Sequence, residues 1–217
     1  MIHLVLPGAV AWAESFGDRD DAEVLPQEAP FTTDMVPGRR AEFAAVRACG
    51  RRALGRLGVP PVPIPVGPRG EPRWPRGIVG SMTHCAGYRA AAVARRTVLP
   101  VIGIDAEPHQ PLPPGVLAAV SLPQERARQA GLRRSSPGVC WDRLLFSTKE
   151  AVFKAWYPLT GRELDFDGAD IVLSPDGTWW ARLRLPGAGT GPLPRGFAGR
   201  WLAADGLLLT AATELLT

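Results

Sequence analysis

Lysine is nearly missing from this chain. Of 25 Lys and Arg residues in 217, only Lys149 and Lys154 are lysines. Richness in Ala, Gly, Pro and Arg accounts for the general shortage, but it leaves both lysines within two turns of one segment. Cysteine is also scarce. Cys49, Cys85 and Cys140 are odd in number, widely spaced and never in a C-x-x-C pair. That argues against a disulfide framework or a zinc site and fits a reduced, cytoplasmic setting. No apolar run is long enough to cross a bilayer, so no membrane partner is expected. Residues 4–13 are apolar, but no Lys or Arg precedes them as a signal peptide requires. They are expected to form an opening strand. Internal repeats, heptads, a Walker loop, G-x-G-x-x-G, H-E-x-x-H and G-x-S-x-G are all absent.

The net charge is +4, a mild basic excess that suits an anionic partner: a nucleic acid, a nucleotide or an acidic protein. Residues 18–37 are polar and read as a surface loop. Residues 37–57 read as a helix with Phe43, Val46, Gly50, Leu54 and Leu57 as its inner stripe. Arg40, Arg47 and Arg51 share another face of it, and a solvated basic face fits equally well. Residues 60–77, rich in Pro and Gly, are loop. Strands are predicted over 78–83, 90–95 and 101–107, with a mixed segment reaching 134. Residues 137–157 show the clearest 3.6 period, and Pro158 is expected to stop that helix. Residues 169–214 read as strands with turns at Ser174-Pro175-Asp176-Gly177 and Asp205-Gly206. Helices and strands do not alternate regularly, which makes the fold class α+β.

Three places carry chemistry. Asp105 and Glu107 lie two apart on a strand, so both carboxylates point the same way and repel. A hard divalent cation such as Mg²⁺ removes that conflict, although an ordinary acidic strand end has the same pattern. Glu150 and Lys154 sit one helical turn apart and, with Arg143 and Ser147, are placed opposite the apolar stripe. An exposed ion pair would have the same spacing. Ser81, Thr83 and His84 offer hydroxyl and imidazole donors suited to phosphate. Cys85 next to His84 faces away from it along an extended segment, so a thiol nucleophile is not expected there.

Taken together, Gly80-Ser81-Met82-Thr83-His84, Gly103-Ile104-Asp105-Ala106-Glu107 and Phe146-Ser147-Thr148-Lys149-Glu150-Ala151-Val152-Phe153-Lys154 resemble the 4′-phosphopantetheinyl transferase superfamily. The branch is the surfactin type, similar to enterobactin synthase component D. The helix from Arg39 and the segment Gly67 to Pro75 also look like this branch. Phe146 and Ala106 depart from commoner residues, both at packing positions. The resemblance implies two similar α/β subdomains related by a pseudo-two-fold, with the active site between them and a boundary near residue 100. It implies transfer of the phosphopantetheine arm of coenzyme A to a serine of an acyl or peptidyl carrier protein. By the same resemblance Asp105, Glu107 and Glu150 would hold Mg²⁺, and Glu150 and Lys154 would be catalytic. Arg40, Arg47, Arg69, Ser81, Thr83, His84, Lys149 and Lys154 would contact coenzyme A. Arg126, Arg128, Arg133 and Arg134 are expected to meet an acidic carrier. A monomer that does not bind nucleic acid is expected. A Mg²⁺-dependent nucleotide phosphohydrolase and a basic nucleic-acid-binding module are the other two readings. The first would not need a carrier protein, and the second would not need coenzyme A.

Overall fold

The computed structural model describes residues 1–17, 22–184 and 194–214. Residues 18–21 of the expected surface loop and 185–193 of the expected strand region lie outside the described residues. The chain divides into two compact units, Met1–Ile102 and Gly103–Thr217, and each is described by itself. Among the described residues no helix is long and apolar enough to cross a membrane.

In the first unit, β1 (Ala11–Phe16), β2 (Ile78–Cys85) and β3 (Tyr88–Arg95) form an antiparallel sheet in the order β1-β3-β2. The helix α1 (Pro37–Arg56) packs on this sheet. Residues 4–13 are only partly strand, because Ile2–Leu4 form a 3-10 turn and β1 starts at Ala11. The helix stripe falls as its period predicts, with Phe43, Val46, Gly50 and Leu54 buried. Gly50 and Gly80 leave room for Trp74; a Cβ on Gly80 would lie 2.6 Å from its ring. The Pro-rich segment is thereby seated on the core formed by Cys49, Leu54, Ile64, Ile78 and Val93. Glu28 is fully buried and ties three separate segments. It accepts hydrogen bonds from Arg51 Nη1 (2.9 Å), the Ile64 N–H (2.8 Å) and the Leu25 N–H (3.1 Å).

In the second unit, β4 (Gly103–Pro108) pairs with β8 (Leu207–Glu214) at one edge of a five-stranded antiparallel sheet. Strands β5 (Ala169–Leu173), β6 (Thr178–Leu183) and β7 (Gly196–Ala204) complete it in the order β4-β8-β7-β6-β5. At the β7–β8 hairpin, Asp205 and Gly206 have φ of 50° and 76°, the left-handed pair that a two-residue I′ turn demands. The segment read as mixed contains α2 (Val116–Val120) and α3 (Pro123–Ser135). Their signal was local: Pro123 at the first helical position and Glu125 two residues on, whose carboxylate takes the Leu122 N–H at 2.7 Å.

The long helix α4 spans Trp141–Thr160. It starts four residues later than its period suggested and continues through Pro158. A proline near the last turn removes one hydrogen bond where the helix is already ending, and Gly161 at φ 66° closes it. Trp141, Leu144, Leu145, Val152 and Trp156 are almost fully buried, each contributing about 1.5–3 kcal/mol. The helix lies on β4 and β8. Gly103 sets how closely it approaches, since a Cβ there would fall 2.0 Å from the Ala151 carbonyl oxygen and 2.8 Å from the Ala155 nitrogen.

Glu125 repeats the arrangement of Glu28. It accepts from Lys149 Nζ (2.9 Å), the Ile171 N–H (2.7 Å) and the Leu122 N–H (2.7 Å). In both units a buried glutamate binds the backbone N–H three residues before it, a later backbone N–H and a cation from the long helix. Among the described residues this is the clearest likeness between the two units.

Candidate active site

Alternation along β4 places Asp105 and Glu107 on one face, opposite Thr210 and Leu208 of β8. The close approach at Gly103 brings α4 against β4, and basic side chains of the helix meet both carboxylates. Lys154 Nζ donates to Asp105 Oδ1 at 2.6 Å. Arg143 Nη1 donates to Glu107 Oε2 at 2.9 Å, while its other nitrogens hold the Gln110 and Pro111 carbonyls. Burial pushes the Glu107 carboxyl above its usual range, and the charge of Asp105 adds to this; Arg143 opposes both. Burial also raises Glu150, with Asp105 adding and Lys154 opposing. The three carboxylates therefore sense one charged neighbourhood.

Ser147 does not belong to an outward face. It is fully buried, and its hydroxyl lies 3.0 Å from that of Thr210. The face carrying Arg143, Ser147, Glu150 and Lys154 is turned toward β4 and β8, because α4 is covered on more sides than a surface helix. Phe146 rests against Phe166, their rings 5.9 Å apart, and Ala106 is buried, as packing positions should be.

Lys149, expected to contact coenzyme A, is held inside its own unit. Its ammonium donates to Glu125 and to the carbonyls of Phe166 and Ala169. An ammonium has three hydrogens, and these three partners use them all inside the unit. Burial lowers its pKa, with Glu125 opposing. Lys149 therefore fastens α4 to α3 and β5, with its three donors already used inside the unit.

In the first unit, His84 sits beside the start of α1. Arg39 Nη1 lies 2.9 Å from His84 Nε2, and Glu42 Oε2 lies 3.7 Å from it. Ser81 and Thr83 are buried and alternate with His84 along β2, so they point to the opposite face of that strand. The three were expected as one donor set, and β alternation divides them. Arg40 is exposed. Arg47 is 5% exposed, donates Nε to the Ile64 carbonyl at 3.0 Å and stacks its guanidinium 3.3 Å from the Phe43 ring. Burial lowers its pKa to about 10, against the charge of Glu28. Arg69 is exposed on a turn whose backbone is held by Glu71. Arg51, on the same helix, is anchored to Glu28. The residues missed were Arg39, Glu28 and Glu125. An arginine next to the expected Arg40 was a weak signal, Glu125 was visible only as part of a helix start, and Glu28 gave none.

Of the four arginines expected to meet a carrier, three are engaged locally, Arg133 through Gln129 Oε1 at 3.0 Å. Arg128 pairs with Asp170 and donates to the Ile171 carbonyl, and Arg126 donates to Ser121. Arg133 and Arg134, at the end of α3, are exposed.

Among the described residues no three His, Cys, Asp or Glu side chains form a ready cation cage. The acidic residues of β4 and α4 nonetheless fit Mg²⁺ by chemistry. All are hard oxygen donors, Glu107 and Glu150 are raised by burial and by the charge of Asp105, and Mg²⁺ commonly takes only one or two carboxylates, with water and substrate phosphates completing its shell.

A helix laid on a carboxylate-bearing sheet edge, with a lysine and an arginine of that helix on those carboxylates, suits the handling of phosphate esters. The family models agree. The 4′-phosphopantetheinyl transferase N-terminal domain matches residues 27–94, and the 4′-phosphopantetheinyl transferase superfamily matches residues 101–201. The chain belongs to the 4′-phosphopantetheinyl transferase superfamily. It is 56% identical to 4′-phosphopantetheinyl transferase Svp of Streptomyces mobaraensis, over 97% of this chain and 88% of that one. It is 48% identical to 4′-phosphopantetheinyl transferase PptT of Mycobacterium tuberculosis, over 97% and 96%. Enterobactin synthase component D of Salmonella typhi is 35% identical over 54% of this chain and 48% of its own length.

Proposed function

We propose that this enzyme transfers the 4′-phosphopantetheine moiety of coenzyme A to a serine of an acyl or peptidyl carrier protein and releases 3′,5′-ADP. The observation that carries the reading is the β4–α4 pairing, with Asp105 against Lys154 and Glu107 against Arg143, in a chain of this family. Asp105, Glu107 and Glu150 would hold Mg²⁺, which when bound supplies Lewis-acid neutralisation of the diphosphate. Glu150 takes the proton of the carrier serine, directly or through water. The serine oxygen bonds to the β-phosphorus, and the bond to the bridging oxygen breaks with its electron pair leaving on 3′,5′-ADP. Lys154 steadies the phosphate oxygens as a point charge.

In the first unit, His84 with Arg40, Arg47 and Arg69 is assigned the remaining phosphate contacts, and Arg39 joins them through its place beside His84. A buried, pKa-depressed Arg47 is a group that an anion would relieve. Ser81 and Thr83 serve as donors only on their own face of β2. Three widely spaced cysteines with no C-x-x-C pair suit a reducing cytoplasm, where we place the enzyme, as a monomer.

The test is mass spectrometry of apo carrier protein incubated with this enzyme, coenzyme A and Mg²⁺. A gain of the phosphopantetheine mass on the carrier serine is expected. Nucleotide cleavage without that gain would instead favour a phosphohydrolase. Asp105→Ala should leave the fold intact and lower transfer by about 10²–10³, the usual loss for one electrostatic element of a site. Near-normal turnover at saturating Mg²⁺ would remove Asp105 from the metal role.

A further inference from the structure

Two cations have a claim on Asp105. The structure gives its Oδ1 to Lys154 Nζ at 2.6 Å, and the proposed function gives the same carboxylate to a divalent ion. We propose that Lys154 is a displaceable counter-ion of the metal position, drawn off Asp105 by the phosphates of coenzyme A, so that nucleotide and metal are taken up together. The inference rests on the metal reading above.

Arg143 and Lys154 differ in how firmly they are held. Arg143 binds Glu107 and also two backbone carbonyls, of Gln110 and Pro111, so its guanidinium is fixed at three points. Among the described residues Lys154 is hydrogen-bonded to Asp105 alone, and its side chain is 29% exposed. A lysine is a compact charge on a flexible four-carbon stem. It can swing to a phosphate without breaking anything else. Glu150, one turn before it, adds a second negative charge to the position that Lys154 would vacate. An ammonium and a divalent ion a few ångströms apart repel strongly in a half-buried setting, so only one of them occupies Asp105 at a time. Arg143 then keeps Glu107 oriented throughout, while Lys154 exchanges partners. Such exchange couples the two ligands, and the coupling is reciprocal: coenzyme A tightens the metal by the factor by which the metal tightens coenzyme A.

Calorimetric titration with Mn²⁺, with and without coenzyme A, tests this on the wild-type enzyme and on Lys154→Met. In the wild type, coenzyme A should tighten Mn²⁺ at least tenfold. Lys154→Met should bind Mn²⁺ alone about 10- to 100-fold tighter than the wild type does, the range expected when a charge-assisted contact is removed. Coenzyme A should then add less. If Lys154→Met binds Mn²⁺ no tighter than the wild type, while coenzyme A still tightens the wild type, the exchange is wrong and the metal reading stands. If the wild type binds no Mn²⁺ even with coenzyme A, both fall. The low lysine content gives a second measurement that needs no variant. ¹⁵N-lysine labelling marks only Lys149 and Lys154. Mg²⁺ and coenzyme A added together should move the Lys154 side-chain signal and leave the buried Lys149 signal in place. An unmoved Lys154 signal would overturn the exchange.

Discussion

Lys149 and Glu150 are neighbours in the chain with opposite surroundings. Lys149 is satisfied on all sides by Glu125 and two carbonyls. Glu150 is a carboxylate held above its usual pKa by burial and by Asp105. The first residue serves stability, and the second costs stability for the sake of chemistry. Glu150→Gln keeps the shape and removes the strained charge. In metal-free buffer at neutral pH it should melt higher than the wild type by about 2 °C or more, the shift that 1 kcal/mol brings in a chain of this length. Transfer should fall at least a hundredfold, the loss typical of a missing electrostatic element. Differential scanning calorimetry beside a transfer assay reads both, and a lower melting temperature would show that Glu150 is paired more favourably than its neighbours indicate. Which residues could carry chemistry was legible at this scale, because spacing on one strand and one helix already puts like charges side by side. The cations that neutralise them were not, because Arg143 and Lys154 reach Glu107 and Asp105 only once two distant elements pack.

Among the elements, α4 and β4 matter most, and Gly103 governs their separation. Gly103→Ala drives a Cβ into the Ala151 carbonyl, and overpacking of this kind costs about 1–3 kcal/mol. The helix must lift or slide, and Lys154 then loses Asp105. Urea unfolding should show the loss of stability. Transfer measured on the fully folded fraction should fall as well, whereas full activity there would mean that the helix tolerates the shift. Glu125→Ala tests the opposite side of α4. It leaves Lys149 buried and unpaired, a change that costs about 3–5 kcal/mol, visible as a much lower urea midpoint. Both long helices were readable from their 3.6 period, and the hairpins from their Gly-containing turns. The start of α4 was misplaced because residues 137–140 carry no cap signal, and α3 was missed because its outer face is a run of Gln, Glu and Arg with little apolar rhythm. That α4 is turned toward the sheet on its polar face was also hidden, since a helix buried on nearly every side has no single stripe to read.

For the molecule as a whole, the basic excess is carried mostly by exposed arginines, with fewer in local ion pairs. Arg126 and Arg128 are spent on Ser121 and Asp170, leaving Arg133 and Arg134 at the end of α3 as the exposed remainder of that cluster. The double variant Arg133→Glu, Arg134→Glu should raise the KM for an acidic carrier protein and leave coenzyme A affinity unchanged. Rim charges act mainly on encounter, so the defect should shrink as salt shortens the Debye length. Steady-state kinetics at low and high ionic strength checks this, and wild-type behaviour at low salt would place the carrier elsewhere. One further consequence comes from the pairing of β4 with β8. The strand bearing Asp105 and Glu107 sits at a sheet edge, and its sheet neighbour is the last strand among the described residues. A ribosome therefore makes Asp105 and Glu107 nearly a hundred residues before the strand that supports them. A nascent chain halted at Gly206 holds every candidate catalytic residue and still lacks β8, on which both β4 and α4 rest. The packing of α4 against the carboxylate-bearing strand therefore waits on β8.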